Sequence, residues 1–204
     1  MKTGFLFLLA FPLFLSAQKT VFRDDFTDNK NKWWTGSNEF YDVKIENGYY
    51  EINYKTKEKP EKDLLVIKNK FNIQHAWDIE LRMKVVSLEG SQNSFGIVVG
   101  EQDRGNTHCY IISPNLKMSW WFEYKVFKQN MIKNEPLPLN IFDQDDAATG
   151  TKFFLKQREG NIYFYINDVY MTKIPSPATW YGNGVGLYIN TGTVLRVDYM
   201  EIKQ

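Results

Sequence analysis

TKFFLKQREGNIYFYINDVYMTKI, residues 151–174, holds three alternating runs separated by two turn signals, and it reads as three antiparallel strands in series. Phe153 and Leu155 share one face of the first run. After Glu159-Gly160-Asn161, Ile162, Phe164 and Ile166 take one face, while Tyr163, Tyr165 and Asn167 take the other. Asn167-Asp168 supplies the second reversal, because Asn and Asp tolerate the left-handed backbone that a tight hairpin needs. Val169–Ile174 then returns as the third strand.

The period of two continues on both sides of this stretch. Trp77, Ile79, Leu81, Met83 and Val85 face one way, and Asp78, Glu80, Arg82 and Lys84 the other. Asn47-Gly48 between Phe40–Glu46 and Tyr49–Tyr54 is a strong hairpin signal. Further strands are predicted at Val21–Phe26, Leu64–Ile67, Phe71–Ile73, Phe95–Val99, His108–Ser113, Lys117–Lys128, Val185–Ile189 and Val194–Ile202. Short connections from Trp77 to Lys128 predict a four-strand meander. In Phe95–Val99, Gly96 stands opposite the core face and allows close approach of a ligand or another backbone. In Lys117–Lys128, Met118, Trp120, Phe122, Tyr124 and Val126 are predicted to face the core, leaving Ser119, Trp121, Glu123, Lys125 and Phe127 opposite. Lys55–Asp63 reads as a charged loop and Asn130–Asp146 as an irregular crossing loop. No stretch sustains a helical period, so an all-β, two-sheet antiparallel β-sandwich is predicted.

Lys2, the apolar run Phe5–Leu15 and Ser16-Ala17 resemble a secretory signal, predicting cleavage after Ala17, one domain over 18–204 and a secreted or periplasmic location. Leu15 before the cut is atypical, and an uncleaved anchor is the alternative. No later run is long and apolar enough for a membrane. Loss of Lys2 balances the basic and acidic residues, which argues against nucleic acid or anionic lipid as a partner. The single cysteine, Cys109, excludes an intramolecular disulfide and reads as a small buried hydrophobe. Two histidines, His75 and His108, provide no multi-histidine metal site, and neither a phosphate loop nor a G-x-S-x-G elbow is present.

The order of FRDDFTD, Trp33-Trp34, IENGYYEI, AWDIELRMKV, FGIVVGEQDRGN, FYIND, GVGLYIN and VLRVDYMEI resembles the concanavalin A-like lectin/glucanase jelly roll, which includes laminin-G-like domains. The resemblance implies a saccharide on the concave sheet, or catalytic carboxylates there. The glucanase signature E-x-D-x-x-E or E-x-D-x-E is matched only by Asp78-Ile79-Glu80-Leu81-Arg82, where Arg82 replaces the third acid. Retaining hydrolysis needs two carboxyls about 5 Å apart, so a hydrolase or lyase would need Glu123 as partner to Glu80. Related jelly rolls also imply a structural Ca²⁺ where first and last strands meet, with Asp25 and Asp198, and Asp24 beside them, as ligands.

Trp121 is the aromatic expected on an exposed sheet face, where its ring stacks on a sugar while Glu80, Arg82, Glu123 and Lys125 take hydroxyls. The competing reading has Trp121 covered by the Asn130–Asp146 loop. Three functions remain open: a saccharide-binding module, a glycoside hydrolase or lyase, and an envelope interaction domain acting through its long loops. Oligomeric state is not readable from the chain.

Overall fold

The computed structural model describes residues 18–55, 63–67, 71–88, 94–103, 105–125, 128–137, 150–190 and 192–204. The predicted signal, residues 56–62 of the charged loop and residues 138–149 lie outside the described residues. The described chain contains fifteen strands and no helix. The first eight are β1 (Thr20–Asp24), β2 (Gly36–Ser37), β3 (Tyr41–Glu46), β4 (Tyr49–Tyr54), β5 (Asp63–Ile67), β6 (Asp78–Leu88), β7 (Phe95–Asp103) and β8 (Asn106–Ser113). There follow β9 (Met118–Lys125), β10 (Lys128–Pro136), β11 (Thr151–Arg158), β12 (Asn161–Ile166), β13 (Val169–Pro175), β14 (Gly184–Ile189) and β15 (Thr193–Lys203).

Nine strands form one sheet in the order β13, β12, β11, β6, β15, β4, β3, β2, with β1 also paired to β15. Six form the other, in the order β10, β9, β8, β7, β14, β5. All pairings are antiparallel, and the two sheets make a jelly-roll sandwich. The predicted 151–174 series is β11, β12 and β13, closed by Glu159-Gly160 (φ 50 and 70°) and Asn167-Asp168 (φ 49 and 64°). Asn47 and Gly48 adopt φ of 54 and 74°, the backbone that twists a two-residue hairpin correctly.

The core forms where the inner faces meet. Ile79, Leu81 and Met83 of β6, Phe153 and Leu155 of β11, and Ile162, Phe164 and Ile166 of β12 oppose Phe95, Ile97 and Val99 of β7 and Val185, Leu187 and Ile189 of β14. All of these are buried, and Phe95 packs edge-on against Phe153 at 5.9 Å.

Four expectations are corrected. Phe71–Ile73 is a turn whose Phe71 and Ile73 are buried as plugs rather than a strand. Residues 128–136 of the expected strand end and crossing loop form β10, hydrogen-bonded to β9. The meander runs β7 to β10, because β6 belongs to the other sheet. Finally, β9 is turned over: Trp121 is 1% exposed and joins the inner core, while Trp120 and Phe122 lie outside. The reason is that the outer face of this sheet is also apolar, with Val98, Cys109, Ile111 and Tyr188 packed beside Trp120 and Phe122. Alternation separates two faces but names the inner one only when the outer is polar.

Gly96 is approached by backbone. A methyl group there would overlap the Tyr110 carbonyl of β8 and come within 2.9 Å of Ile111 Cα. Both belong to rigid main chain, so Gly96→Ala is expected to lower unfolding free energy by about 3 kcal/mol, measured by urea denaturation. A loss under about 0.5 kcal/mol would mean that β7 and β8 stand further apart than described.

Candidate functional site

The outer face of the nine-stranded sheet is organised in cross-strand rows. One row runs Arg23 (β1), Glu201 (β15), Glu80 (β6), Phe154 (β11), Tyr165 (β12) and Tyr170 (β13), each opposite the next in register. Its aromatic part places Tyr165 5.6 Å from Phe154 and 5.8 Å from Tyr170, with the rings tilted by 41 and 66°. Tyr170 is 51% exposed. Stepped rings on a sheet surface present apolar faces to solvent beside polar groups, which is what an aromatic sugar contact requires.

The row meets a polar cluster at Glu80. Tyr199 donates its hydroxyl to Glu80 Oε1, and burial followed by this hydrogen bond pushes the Tyr199 phenol up. The guanidinium carbons of Arg23 and Arg82 lie 5.2 and 5.6 Å from the centre of the Tyr199 ring. Next to Tyr199, Asp198 is an extra residue in β15, bulged out between Val197 opposite Met83 and Tyr199 opposite Arg82. A bulge re-aims a side chain, and here it helps shape a pocket of about 70 Å³. Tyr49, Arg82, Lys84, Arg196 and Asp198 line it, with Gly150 at its edge. Gly150 has φ 71° and sits so near the Met83 carbonyl that a β-carbon would lie 3.0 Å from it.

The predicted ligand residues are therefore divided. Glu80 and Arg82 are on this outer face, while Trp121, Glu123 and Lys125 lie on the inner side of β9 in the other sheet. The packed core stands between the two groups, so Glu80 and Glu123 cannot flank one glycosidic bond. Trp121 is not an open stacking surface; it packs against Tyr110 and His108, with centroids 6.0 and 6.3 Å away.

Glu123 is partly exposed, its side chain 30% accessible. It accepts a 2.7 Å hydrogen bond from the Tyr181 hydroxyl, which holds its carboxyl below the usual range. Burial and that carboxylate push the Tyr181 phenol up to about 12. His108, opposite Glu123 in register and 1% exposed, stacks on Tyr181 at 5.3 Å and meets the edge of Trp180 at 5.1 Å. Burial lowers its pKa to about 4, so the imidazole is neutral at pH 7 and its 3.8 Å approach to Glu123 is not an ion pair.

The aspartates at the chain junction do not fit a calcium ion. Both Asp24 oxygens are occupied, accepting from Phe26 N at 2.9 Å and from Asn31 Nδ2 and Trp33 Nε1 at 2.7 Å each. Asp25 accepts from the Thr27 hydroxyl and amide. Asp198 faces the cationic pocket. No group of three or more His, Cys, Asp or Glu able to hold a metal occurs among the described residues, whereas Ca²⁺ takes six to eight oxygens.

Phe154, Tyr165, Tyr170 and Tyr199, none of them a candidate from the sequence, are brought beside Glu80 and Arg82 on this face. The signal was present in the outward run of Tyr163, Tyr165 and Asn167, but only the register of β6, β11, β12 and β13 shows that Tyr165 continues the Glu80 row. A second exposed aromatic group, Trp34 (46% exposed) edge-on to Tyr41 at 5.2 Å, lies at the β2 and β3 edge.

No protein-family model and no curated relative matches the chain by sequence. Solved structures do match it in fold. A protein of unknown function with a galectin-like fold from Bacillus subtilis superposes with TM-score 0.65 at 9% identity, over 92% of this chain and 98% of that one. A laminarinase from Flavobacterium sp. UMI-01 gives 0.60 at 14%, over 91% and 100%. The carbohydrate-binding module CBM66 from Bacillus subtilis gives 0.51 at 8%, over 85% and 93%. The fold is the concanavalin A-like jelly roll.

The depressed His108 pKa makes stability depend on pH. The unfolded chain takes up a proton near pH 6.5 and the folded chain only near 4, so stability falls as pH drops through that window. Between pH 6.5 and 5 the loss from this group is roughly 2 kcal/mol. The urea midpoint should fall accordingly, and His108→Phe, which keeps a ring between Tyr181 and Trp180, should flatten that part of the profile. An equal slope in the variant would show that His108 does not titrate differently on folding.

Proposed function

We propose that the chain is an exported saccharide-binding protein that holds its ligand on the outer face of the nine-stranded sheet without cleaving it. The observation that carries this reading is the row in which Phe154, Tyr165 and Tyr170 lead into Glu80, Tyr199 and Arg82. Aromatic faces take the apolar side of a pyranose, and the polar end supplies donors and acceptors for hydroxyls. Proteins of this fold include a carbohydrate-binding module and a laminarinase, so it accommodates both binding and cleavage. Export rests on the N-terminal run alone.

One feature favours the hydrolase as second reading. Glu80 and Glu201 are directly opposite on neighbouring strands, a pairing that brings side chains about 5 Å apart. Retaining enzymes use such a separation, with one carboxyl protonated and the other ionised. Glu201, however, is committed to Lys203 at 2.8 Å, the Thr20 hydroxyl at 2.9 Å and Arg23 at 3.6 Å, and the hydrogen bond from Lys203 chiefly holds it below the usual carboxylate range. Glu80 is engaged by Tyr199. Two anchored carboxylates suit hydroxyl recognition better than proton transfer.

The test is calorimetric titration of the 18–204 chain against a panel of soluble glycans, beside an assay for new reducing ends. Binding is expected without release of sugar. Loss of one stacking ring costs about 1 kcal/mol or more, so Tyr165→Ala and Tyr170→Ala should each weaken binding at least fivefold with little change in melting temperature. Reducing ends that appear with wild type and vanish in Glu80→Gln would replace this reading with the hydrolase. Unaltered affinity in both tyrosine variants would move the site elsewhere.

A further inference from the structure

We infer that the saccharide is acidic, with a carboxylate or sulfate group seated in the pocket between Arg82 and Arg196. This rests on the proposed binding face and names the chemistry of its ligand. Among the described residues, Arg82, Lys84 and Arg196 line the pocket together with the acid Asp198.

Arg82 is the central observation. It is half-buried on β6, its Nε is shielded from solvent, and among the described residues that nitrogen has no hydrogen-bond partner and no carboxylate forms an ion pair with the side chain. Among the described residues its guanidinium lies over the Tyr199 ring, 5.6 Å from the centroid. A partly desolvated guanidinium without an anion is costly, and its planar fork of donors matches a carboxylate or sulfate.

The neighbouring cations are anchored around it. Arg196 donates through Nε to Glu51 Oε2 at 2.6 Å, and Glu51 also receives Lys44 at 3.5 Å. That row of Lys84, Arg196, Glu51 and Lys44 runs across β6, β15, β4 and β3 in register. Lys152, opposite Arg82 on β11, is held by Asp168. Glu80, the nearest acid in sequence, is turned to the Tyr199 hydroxyl rather than to Arg82. Tyr199 thus keeps apart two side chains of opposite charge that occupy alternate positions on one strand.

Asp198 makes the inference sharp. It accepts no hydrogen bond among the described residues and projects from the bulge into the same space. Towards a neutral sugar it would be an acceptor for hydroxyls. Towards an anionic sugar it is a like charge, so removing its charge must improve binding. The sign of that one substitution therefore reports the charge of the ligand.

The experiment titrates the 18–204 chain, wild type, Arg82→Gln and Asp198→Asn, with three probes at low ionic strength: a galacturonate trisaccharide, a sulfated galactan tetrasaccharide and a neutral β-glucan trisaccharide. At least one acidic probe is expected to bind tenfold or more tighter than the neutral one, and the stronger of the two identifies carboxylate or sulfate. Arg82→Gln should weaken that binding about tenfold, as for a charge-assisted hydrogen bond, while Asp198→Asn should strengthen it about threefold, as for relief of a like charge near the surface. Raising salt to 0.5 M should narrow the differences. Melting temperatures serve as the control for folding.

Tightest binding of the neutral probe, weakened by Asp198→Asn and indifferent to Arg82→Gln, would overturn the acidic ligand while leaving a saccharide-binding face intact if Tyr165→Ala still reduces it. Acidic binding lost in Arg82→Gln but unaffected in Tyr165→Ala and Tyr170→Ala would keep the anion pocket and remove the aromatic row. Binding to none of the probes would overturn both.

Discussion

The antiparallel pairing of β6 with β15 is the constraint on which the rest of the molecule depends. These two eleven-residue strands lie side by side in the middle of the nine-stranded sheet, paired with two bulges from Thr193 opposite Leu88 to Lys203 opposite Asp78. The other edge of β15 carries β4 along residues 194–197 and β1 along residues 200–203. The last strand is thus the partner of the first, and reciprocal backbone bonds between Lys19 and Gln204 at 2.7 and 2.9 Å extend that union to the chain end. Contacts between residues so distant in sequence reward the chain only after a large loop has been closed.

The same two strands carry the polar part of the sheet's outer face. Glu80, Arg82 and Lys84 point outward from β6, and Arg196, Asp198, Tyr199 and Glu201 belong to the neighbouring stretch of β15. Their inner neighbours Ile79, Leu81, Met83, Leu195, Val197, Met200 and Ile202 are all buried. Each outward group is therefore mounted on backbone clamped from beneath by core packing and from both sides by hydrogen bonds. A rigid central scaffold suits recognition, since little ordering remains for a ligand to impose. The pairing departs from regularity twice, at Val86 on β6 and at Asp198 on β15, and the second bulge falls at the pocket.

How far the fold was readable follows from which faces are chemically distinct. On β6 the inner residues are apolar and the outer ones charged, so alternation placed Leu81 on the core side, and on β12 it grouped Phe164 with Ile162 and Ile166, all buried. On β9 both faces are apolar where the strand is central, and Trp120 and Trp121 exchange places without altering the pattern. The turns at Asn47-Gly48 and Asn167-Asp168 could be read because their chemistry is local. The site could be read only in part. Glu80 and Arg82 announced themselves as outward charges on a strand, but their aromatic neighbours, Phe154 to Tyr199, come from strands about 70 to 120 residues away. Register between distant strands is set by the whole core, and no short window of sequence contains it.

Lys133 has a consequence for how the molecule meets copies of itself. It extends from β10, at one edge of the six-stranded sheet, to the Thr172 hydroxyl at 2.8 Å and the Lys173 carbonyl at 3.1 Å on β13, at the edge of the nine-stranded sheet. One side chain thereby laces together two sheet edges that would each otherwise offer open main chain. Ile132 is the extra residue of a bulge in β10, and Pro136 ends the strand without a donor. An edge that is bulged, charged and tied to its neighbour is a poor template for strand addition. Met131 and Ile132 can therefore remain exposed on that edge without making it a seed for aggregation.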